Sequence, residues 1–115
     1  MTQHTIDAQT FKALQDAAGA DFVVDLVGTF IEEAPGMIAE LRAALAQRDA
    51  ERFRRVAHSL KSNSNTFGAV ALGMLARELE LSAKERVAAG DPAPLEALAQ
   101  EFARSAERLE EMARG

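Results

Sequence analysis

Residues 57–69, which read AHSLKSNSNTFGA, are the stretch around which the rest of this chain is organised. As a helix with about 3.6 residues per turn, the stretch separates into an apolar stripe and a polar face. The stripe extends upstream and has the spacing of three or four residues that a core-facing surface requires; it contains Phe53, Val56, Ala57, Leu60, Ser64 and Phe67. His58 points about 150° away from the centre of this stripe, and we therefore expect its imidazole to face water.

Small polar and cationic side chains surround His58 on the outer face of this helix. They lie three, four or seven residues from the histidine and are Arg54, Lys61, Ser62 and Asn65. An exposed imidazole titrates near neutral pH, so a large fraction of it is neutral and nucleophilic at pH 7. A histidine held outward on a rigid helix among such groups suits reversible chemistry with an anion.

The same region resembles the histidine phosphotransfer (HPt) domains of bacterial phosphorelays. The resemblance rests on Ala57-His58-Ser59-Leu60-Lys61, the small polar run after it, Gly68-Ala69, Leu72 and Leu79-Glu80, and upstream on Gly19, Asp21-Phe22, Leu26, Phe30, Pro35, Leu41, Ala44 and Asp49. It covers most of the chain. That family commonly has glycine directly after the lysine, whereas this chain has Ser62, a departure that bears on how a partner docks.

The resemblance implies a phosphoryl-group carrier that has no cofactor and no ATP or metal site of its own. His58 is then the expected phosphoacceptor, and Lys61 is the cation that neutralises part of the phosphoryl charge. Ser62 and Asn65 are expected to donate hydrogen bonds to phosphate oxygens, and Arg54 to assist from the preceding turn. The implied partner is the receiver domain of a hybrid sensor kinase, of a response regulator, or of both in turn. Such a receiver supplies the aspartate and the metal ion.

Composition excludes several other functions. The 115 residues are expected to form one domain, 1–115, which is long enough to bury a core without disulfide or metal support. Cysteine is absent, which excludes a thiolate nucleophile or a thiolate metal site. Arg55 stands three residues before His58, where the Glu-x-x-His motif of a bundle di-iron site would need glutamate. A formal net charge of −5 argues against nucleic acid as a partner.

Neither a targeting segment nor a membrane span is predicted. Residues 1–10 have no apolar segment of the kind that a signal peptide requires. The longest apolar run, residues 22–31, contains Asp25 and is too short to cross a bilayer. We therefore expect a soluble, cytoplasmic protein. The family resemblance and a self-sufficient bundle favour a monomer.

Capping residues, glycines and prolines predict five helices. Their predicted bounds are Asp7 to about Ala18, Asp21 to about Gln47 with an interruption at Pro35-Gly36, Asp49 to near Gly68, Ala69 to Gly90, and Asp91 onward. The second helix is predicted to bury Phe22, Leu26, Phe30, Ile38, Leu41 and Leu45, and the last helix Leu95, Leu98, Phe102, Ala106 and Leu109. Short connections favour an all-α, antiparallel up-down-up-down four-helix bundle, with the short first helix across one end.

The predicted hairpins also indicate which residues lie beside His58. A turn near Gly68 would bring His58 level with Arg77 or Glu78 of the following helix. Glu80 is expected to serve the fold or an ion pair. A partner is expected to cover the His58 face together with neighbouring parts of the first and second helices.

Two other functions remain open from the sequence. The chain could be the phosphoacceptor domain of a chemotaxis-type kinase, in which a separate ATP-binding domain phosphorylates His58 directly. It could instead be a non-phosphorylated adaptor that binds receiver domains by shape alone. The presence of both His58 and Lys61 argues against the adaptor, because a protein that only binds needs neither residue.

Overall fold

The computed structural model describes residues 5–114, and this part of the chain is all-helical. Its helices are α1 (Ala8–Ala18), α2 (Ala20–Ala46), α3 (Ala50–Thr66), α4 (Val70–Leu81), α5 (Ala83–Ala89) and α6 (Ala93–Arg114). The predicted all-α fold class is confirmed. Among the residues described, no helix has both the length and the apolar character needed to cross a membrane.

The predicted fourth helix is in fact two helices that meet at Ser82. The Ser82 hydroxyl donates a hydrogen bond of 2.7 Å to the carbonyl of Glu78, and the backbone there leaves helical geometry at φ −111° and ψ 23°. A serine hydroxyl that bonds the carbonyl four residues earlier competes with the helical backbone and favours a bend. The prediction of one continuous helix up to Gly90 was therefore wrong.

The predicted interruption of the second helix at Pro35-Gly36 was also wrong, since α2 continues through Pro35 for 27 residues. Proline lacks the amide that would bond the carbonyl of Ile31. Pro35 is exposed, so water can hydrogen-bond the carbonyl that loses its donor. The helix therefore persists without that bond.

The core lies between α2, α3, α4 and α6, and its composition follows most of the predicted stripes. In α3 the buried positions are Phe53, Ala57, Leu60, Ser64 and the following Phe67, while Val56 is half-buried. In α2 the predicted Phe30, Ile38, Leu41 and Leu45 are buried. At the start of the helix the prediction was wrong, because Phe22 is 54 % exposed and Val23 and Val27 are buried instead. In α6 the buried positions include Glu101 and Ser105, whereas Phe102 and Ala106 are only partly covered.

Side-chain contacts show how the helices run relative to one another. Between α2 and α3, the ring centroids of Phe30 and Phe67 lie 5.2 Å apart, and Oε2 of Glu40 lies 3.2 Å from Nε of Arg52. Since the later residue of α2 meets the earlier residue of α3, the two helices are antiparallel. The pair α2 and α6 is antiparallel by the same reasoning, because Phe30 meets Phe102 and Arg42 pairs with Glu96.

The start of α1 is tied to the connection between α3 and α4. The amide of Asp7 donates a 2.7 Å hydrogen bond to the carbonyl of Gly68. Gly68 has φ of +79°, and a Cβ atom built on it would lie 2.8 Å from the backbone oxygen of Asp7. This close approach requires glycine.

Gly68→Ala should destabilise the protein by at least about 1–2 kcal/mol, the cost of a left-handed conformation for a residue with a Cβ atom, before the clash with Asp7 is added. Gly28→Ala is the matched control, because Gly28 lies within α2 with open space around it. That change should stabilise the protein by about 0.5–1 kcal/mol through helix propensity. Urea unfolding of both variants measures the difference, and equal effects would contradict the structure.

Candidate functional site

The rotation of α3 places His58 at the surface. Ala57 and Leu60 are completely buried, whereas the His58 side chain, between them in sequence, is 54 % exposed. A helix turns by about 100° per residue, so burial of these two neighbours leaves His58 on the solvent side. The imidazole is therefore open to a partner molecule.

Glu80 of α4 connects the two predicted functional side chains of α3. Its Oε2 lies 2.9 Å from Nδ1 of His58, and its Oε1 lies 2.8 Å from Nζ of Lys61. The Glu80 side chain is only 15 % exposed. One largely covered carboxylate thus holds both the imidazole and the ammonium group in place.

The contact with Glu80 assigns different roles to the two ring nitrogens of His58. An ionised carboxylate can only accept a hydrogen bond, so a neutral imidazole bonded to it carries its proton on Nδ1. The lone pair then lies on Nε2. In this tautomer Nε2 is the ring nitrogen that could act as a nucleophile.

Lys61 favours the ionised form of Glu80. Its hydrogen bond is the main cause that lowers the pKa of Glu80 below the ordinary value of 4.5; burial opposes the shift, and the hydrogen bond from His58 adds to it. A carboxylate with a lowered pKa carries its full negative charge at neutral pH. The site therefore contains a fixed anion between a cation and an imidazole.

The other predicted binding residues lie around this centre and differ in the contacts that they make. Ser62 and Asn65 are exposed on the same side of α3 as His58. The Asn65 amide covers Gly73 of α4 and occupies the space that a larger residue there would need. Arg54 is exposed and donates hydrogen bonds to Glu51, including one of 3.1 Å from Nε. This contact uses two of the five N–H donors of the Arg54 guanidinium.

Sequence reasoning assigned Glu80 no part in the chemistry and set Arg77 or Glu78 beside His58. The structure pairs Asn65 with Gly73 and His58 with Glu80, so the residue numbers of each pair add to 138. The hairpin is therefore centred on residue 69, because the connection between α3 and α4 includes residues outside both helices. Mirroring about Ala69, rather than about the glycine before it, would have found Glu80.

The site is thus an exposed histidine on a helical bundle, with its Nδ1 bonded to a carboxylate and a lysine one turn further on. The family model described as Hpt domain matches residues 25–113, and the chain belongs to this family. Hpt domains are phosphotransfer carriers of two-component signalling that act with receiver domains, rather than enzymes of the usual kind.

A solved structure extends the likeness to nearly the whole chain. The crystal structure of histidine-containing phosphotransfer protein B (HptB) from Pseudomonas aeruginosa PAO1 is 30 % identical in sequence and superimposes with a TM-score of 0.86. The match covers 98 % of this chain and 97 % of that one. No curated protein sequence matches the chain.

Lys61→Gln should raise the pKa of Glu80 toward its ordinary value, because the largest cause of its lowering is removed. A lowered native pKa contributes stability that is present above the unfolded value and is lost as the pH falls through the native value. The loss of unfolding free energy in Lys61→Gln should therefore be largest at neutral pH and should shrink below about pH 4.5. Carbon NMR titration of the Glu80 carboxyl and urea unfolding between pH 3 and pH 7 measure both effects.

Lys12→Gln is the control for this experiment, because Lys12 pairs with Asp16 on the exposed surface of α1. It should leave the Glu80 titration unchanged. An unchanged Glu80 titration in Lys61→Gln as well would mean that the ion pair with Lys61 does not exist in solution.

Proposed function

We propose that this protein relays a phosphoryl group between receiver-domain aspartates through a phosphohistidine at His58. It would act as a histidine-containing phosphotransfer protein in a two-component phosphorelay, with residues 1–115 as one HPt-like domain. The observation that carries the proposal is an exposed imidazole whose Nδ1 is held by Glu80 at 2.9 Å, which leaves Nε2 for the reaction. Family membership over residues 25–113 supports the same chemistry.

The proposed transfer forms one bond and breaks one bond. The Nε2 lone pair of His58 attacks the phosphorus of an aspartyl phosphate on the receiver, and the bond from phosphorus to the aspartate oxygen breaks. The aspartate leaves as a carboxylate, and His58 carries the phosphoryl group as a phosphoramidate. The ring gains positive character during attack, and the Glu80 carboxylate stabilises it through the Nδ1 proton. The reverse reaction passes the group to a second receiver.

Lys61 is proposed to neutralise charge on the incoming phosphoryl group. Its ammonium has three donors, and the contact with Glu80 needs only one of them. Ser62 and Asn65 are proposed to donate hydrogen bonds to phosphate oxygens. Phosphoryl transfer depends mainly on positioning and charge neutralisation, so the receiver is proposed to bring the metal ion along with its aspartate.

His58→Gln should abolish labelling by a phosphorylated receiver domain, because an amide cannot form the phosphoramidate. Its unfolding free energy should change by only about ±0.5 kcal/mol, as expected for a surface position. Leu60→Ala is the contrasting variant: Leu60 is completely buried, and its truncation should cost roughly 2–5 kcal/mol. Thermal melts and transfer assays on both variants test the assignment. Continued labelling of His58→Gln would move the phosphoacceptor elsewhere.

The chemical stability of the label distinguishes the species formed. Phosphohistidine survives base and is lost in acid, whereas an acyl phosphate is lost in base as well. Lys61→Ala should give slower labelling with the same acid and base profile, because it removes charge stabilisation and keeps the nucleophile. Labelling by a kinase ATP-binding domain, with none from any receiver, would favour the chemotaxis-type phosphoacceptor. An adaptor would bind receivers and take up no label at all.

Ser62→Trp should block transfer and leave the fold intact. Ser62 is exposed one turn beyond His58, so an indole there would separate the imidazole from an aspartyl phosphate. Ser62→Gly, which restores the residue common in the family, is the control and should keep or increase the transfer rate. Transfer at the wild-type rate in Ser62→Trp would show that the receiver does not approach over this position.

A further inference from the structure

An apolar stripe on the outer surface of α4 has no part in the core. Its members are Val70, Met74, Arg77 and Leu81, spaced by four, three and four residues, and all four are exposed. We call them the α4 stripe. Met74 is 66 % exposed and Leu81 is 68 % exposed, the two largest values among the exposed large hydrophobic residues of the described chain. Such a repeat places three apolar side chains and one cation on a single face of the helix.

Part of the α4 stripe lies level with His58 along the bundle axis. Glu80, the residue that bonds His58, directly precedes Leu81 in sequence. By the register of the His58–Glu80 and Asn65–Gly73 pairs, whose numbers add to 138, Leu81 is level with Ala57 and Met74 is level with Ser64. At a rise of 1.5 Å per residue, the two apolar side chains fall within about 9 Å of His58 along the helix axis.

The other exposed apolar residues lie elsewhere. Phe22 and Val24 are in the first turns of α2, and Val24 lines a groove between α2 and α6. The contact of Phe30 with Phe67 shows that the start of α2 lies beyond the end of α3, far along the bundle from His58. Among the described residues, the exposed large apolar side chains nearest to the level of His58 are therefore Met74 and Leu81 of α4.

The size of the α4 stripe argues for a transient partner. A stable dimer buries about 1,200–2,000 Å² in total, whereas weak signalling encounters bury less. Three apolar residues on a helix of 12 residues cannot form a seam of the larger kind. They suffice as the apolar centre of a small interface whose remaining area comes from the His58 face of α3. Arg77, within the same stripe, is level with Lys61 and suits a partner that is anionic around its phosphorylated aspartate.

We propose that the α4 stripe forms one side of the docking surface for the receiver domain, so that the receiver straddles α3 and α4 above His58. The inference rests on the proposed function and extends the docking surface expected from the sequence, which included the first and second helices but no part of α4. Met74 and Leu81 would pack against apolar side chains of the receiver, while Arg77 would face its anionic site.

The test uses the full chain and the purified receiver domain that labels wild type fastest among a panel of phosphorylated receivers. Met74→Gln and Leu81→Gln keep side-chain length and helix propensity while removing apolar character. Each should weaken receiver binding, measured by calorimetry, at least fivefold, and the double variant more strongly still. Transfer at low receiver concentration should slow in proportion and should recover at saturating receiver. Val24→Gln is the matched control and should bind and transfer as wild type does.

The outcomes separate this inference from the proposed function. Failure of every receiver to label wild type would overturn the proposed function and the docking surface with it. Normal labelling of wild type, with unchanged receiver binding in the double variant, would overturn the docking surface alone. A wild-type dimer that Leu81→Gln converts to a monomer would assign the stripe to a second copy of the chain and would also overturn it. Circular dichroism melts of each variant confirm that the fold is intact.

Discussion

Burial of one face of α3 is the constraint from which the rest of the site follows. Phe53, Ala57, Leu60 and Ser64 are at most 1 % exposed, and burying a side chain of the size of Phe53 or Leu60 contributes about 1.5–3 kcal/mol. Rotation of α3 by one residue position would expose this face and bury His58 in exchange. The hydrophobic core therefore fixes the direction of the nucleophile, and the histidine itself contributes little to that choice.

The site also depends on α4, which contributes Glu80. Glu80 reaches across from α4 and holds His58 and Lys61 with the two oxygens of one carboxylate. Its low exposure strengthens both contacts, because a covered ion pair is screened less by water and salt. The same carboxylate that orients the imidazole also contacts the Lys61 ammonium, which keeps two of its three donors for other partners.

The packing of α3 against α4 also places His58 and part of the α4 stripe at the same level of the bundle. Gly73 allows the Asn65 side chain to lie across α4, and the exposed residues of α4 are Val70, Met74 and Leu81 together with the charged Arg77 and Glu78. A phosphoryl carrier has to meet its partners briefly, so a small apolar stripe beside an exposed nucleophile is compatible with rapid exchange. A wider apolar face would favour lasting association.

Much of this protein could be predicted from its sequence. The period of about 3.6 residues in α3 determined which side is buried, because apolar spacing there allows only one stripe, and His58 therefore had to face water. Glycine, proline and capping residues set most helix ends within a few residues, since these residues act on the backbone locally. The pattern around His58, from Ala57 to Leu79-Glu80, identified the family that the comparisons then showed.

Tertiary structure decided the features that depend on how two helices meet. In α2, neighbouring apolar residues allow two overlapping stripes, and only the packing of the folded chain selects Val23 over Phe22. The bend at Ser82 depends on the Ser82 hydroxyl, which donates its hydrogen bond to the carbonyl of Glu78 and not to water. Glu80 became part of the site through the register of α3 and α4. A shift of one residue turns a side chain by about 100°, so an error of two or three residues in locating a turn is enough to hide the partner of His58.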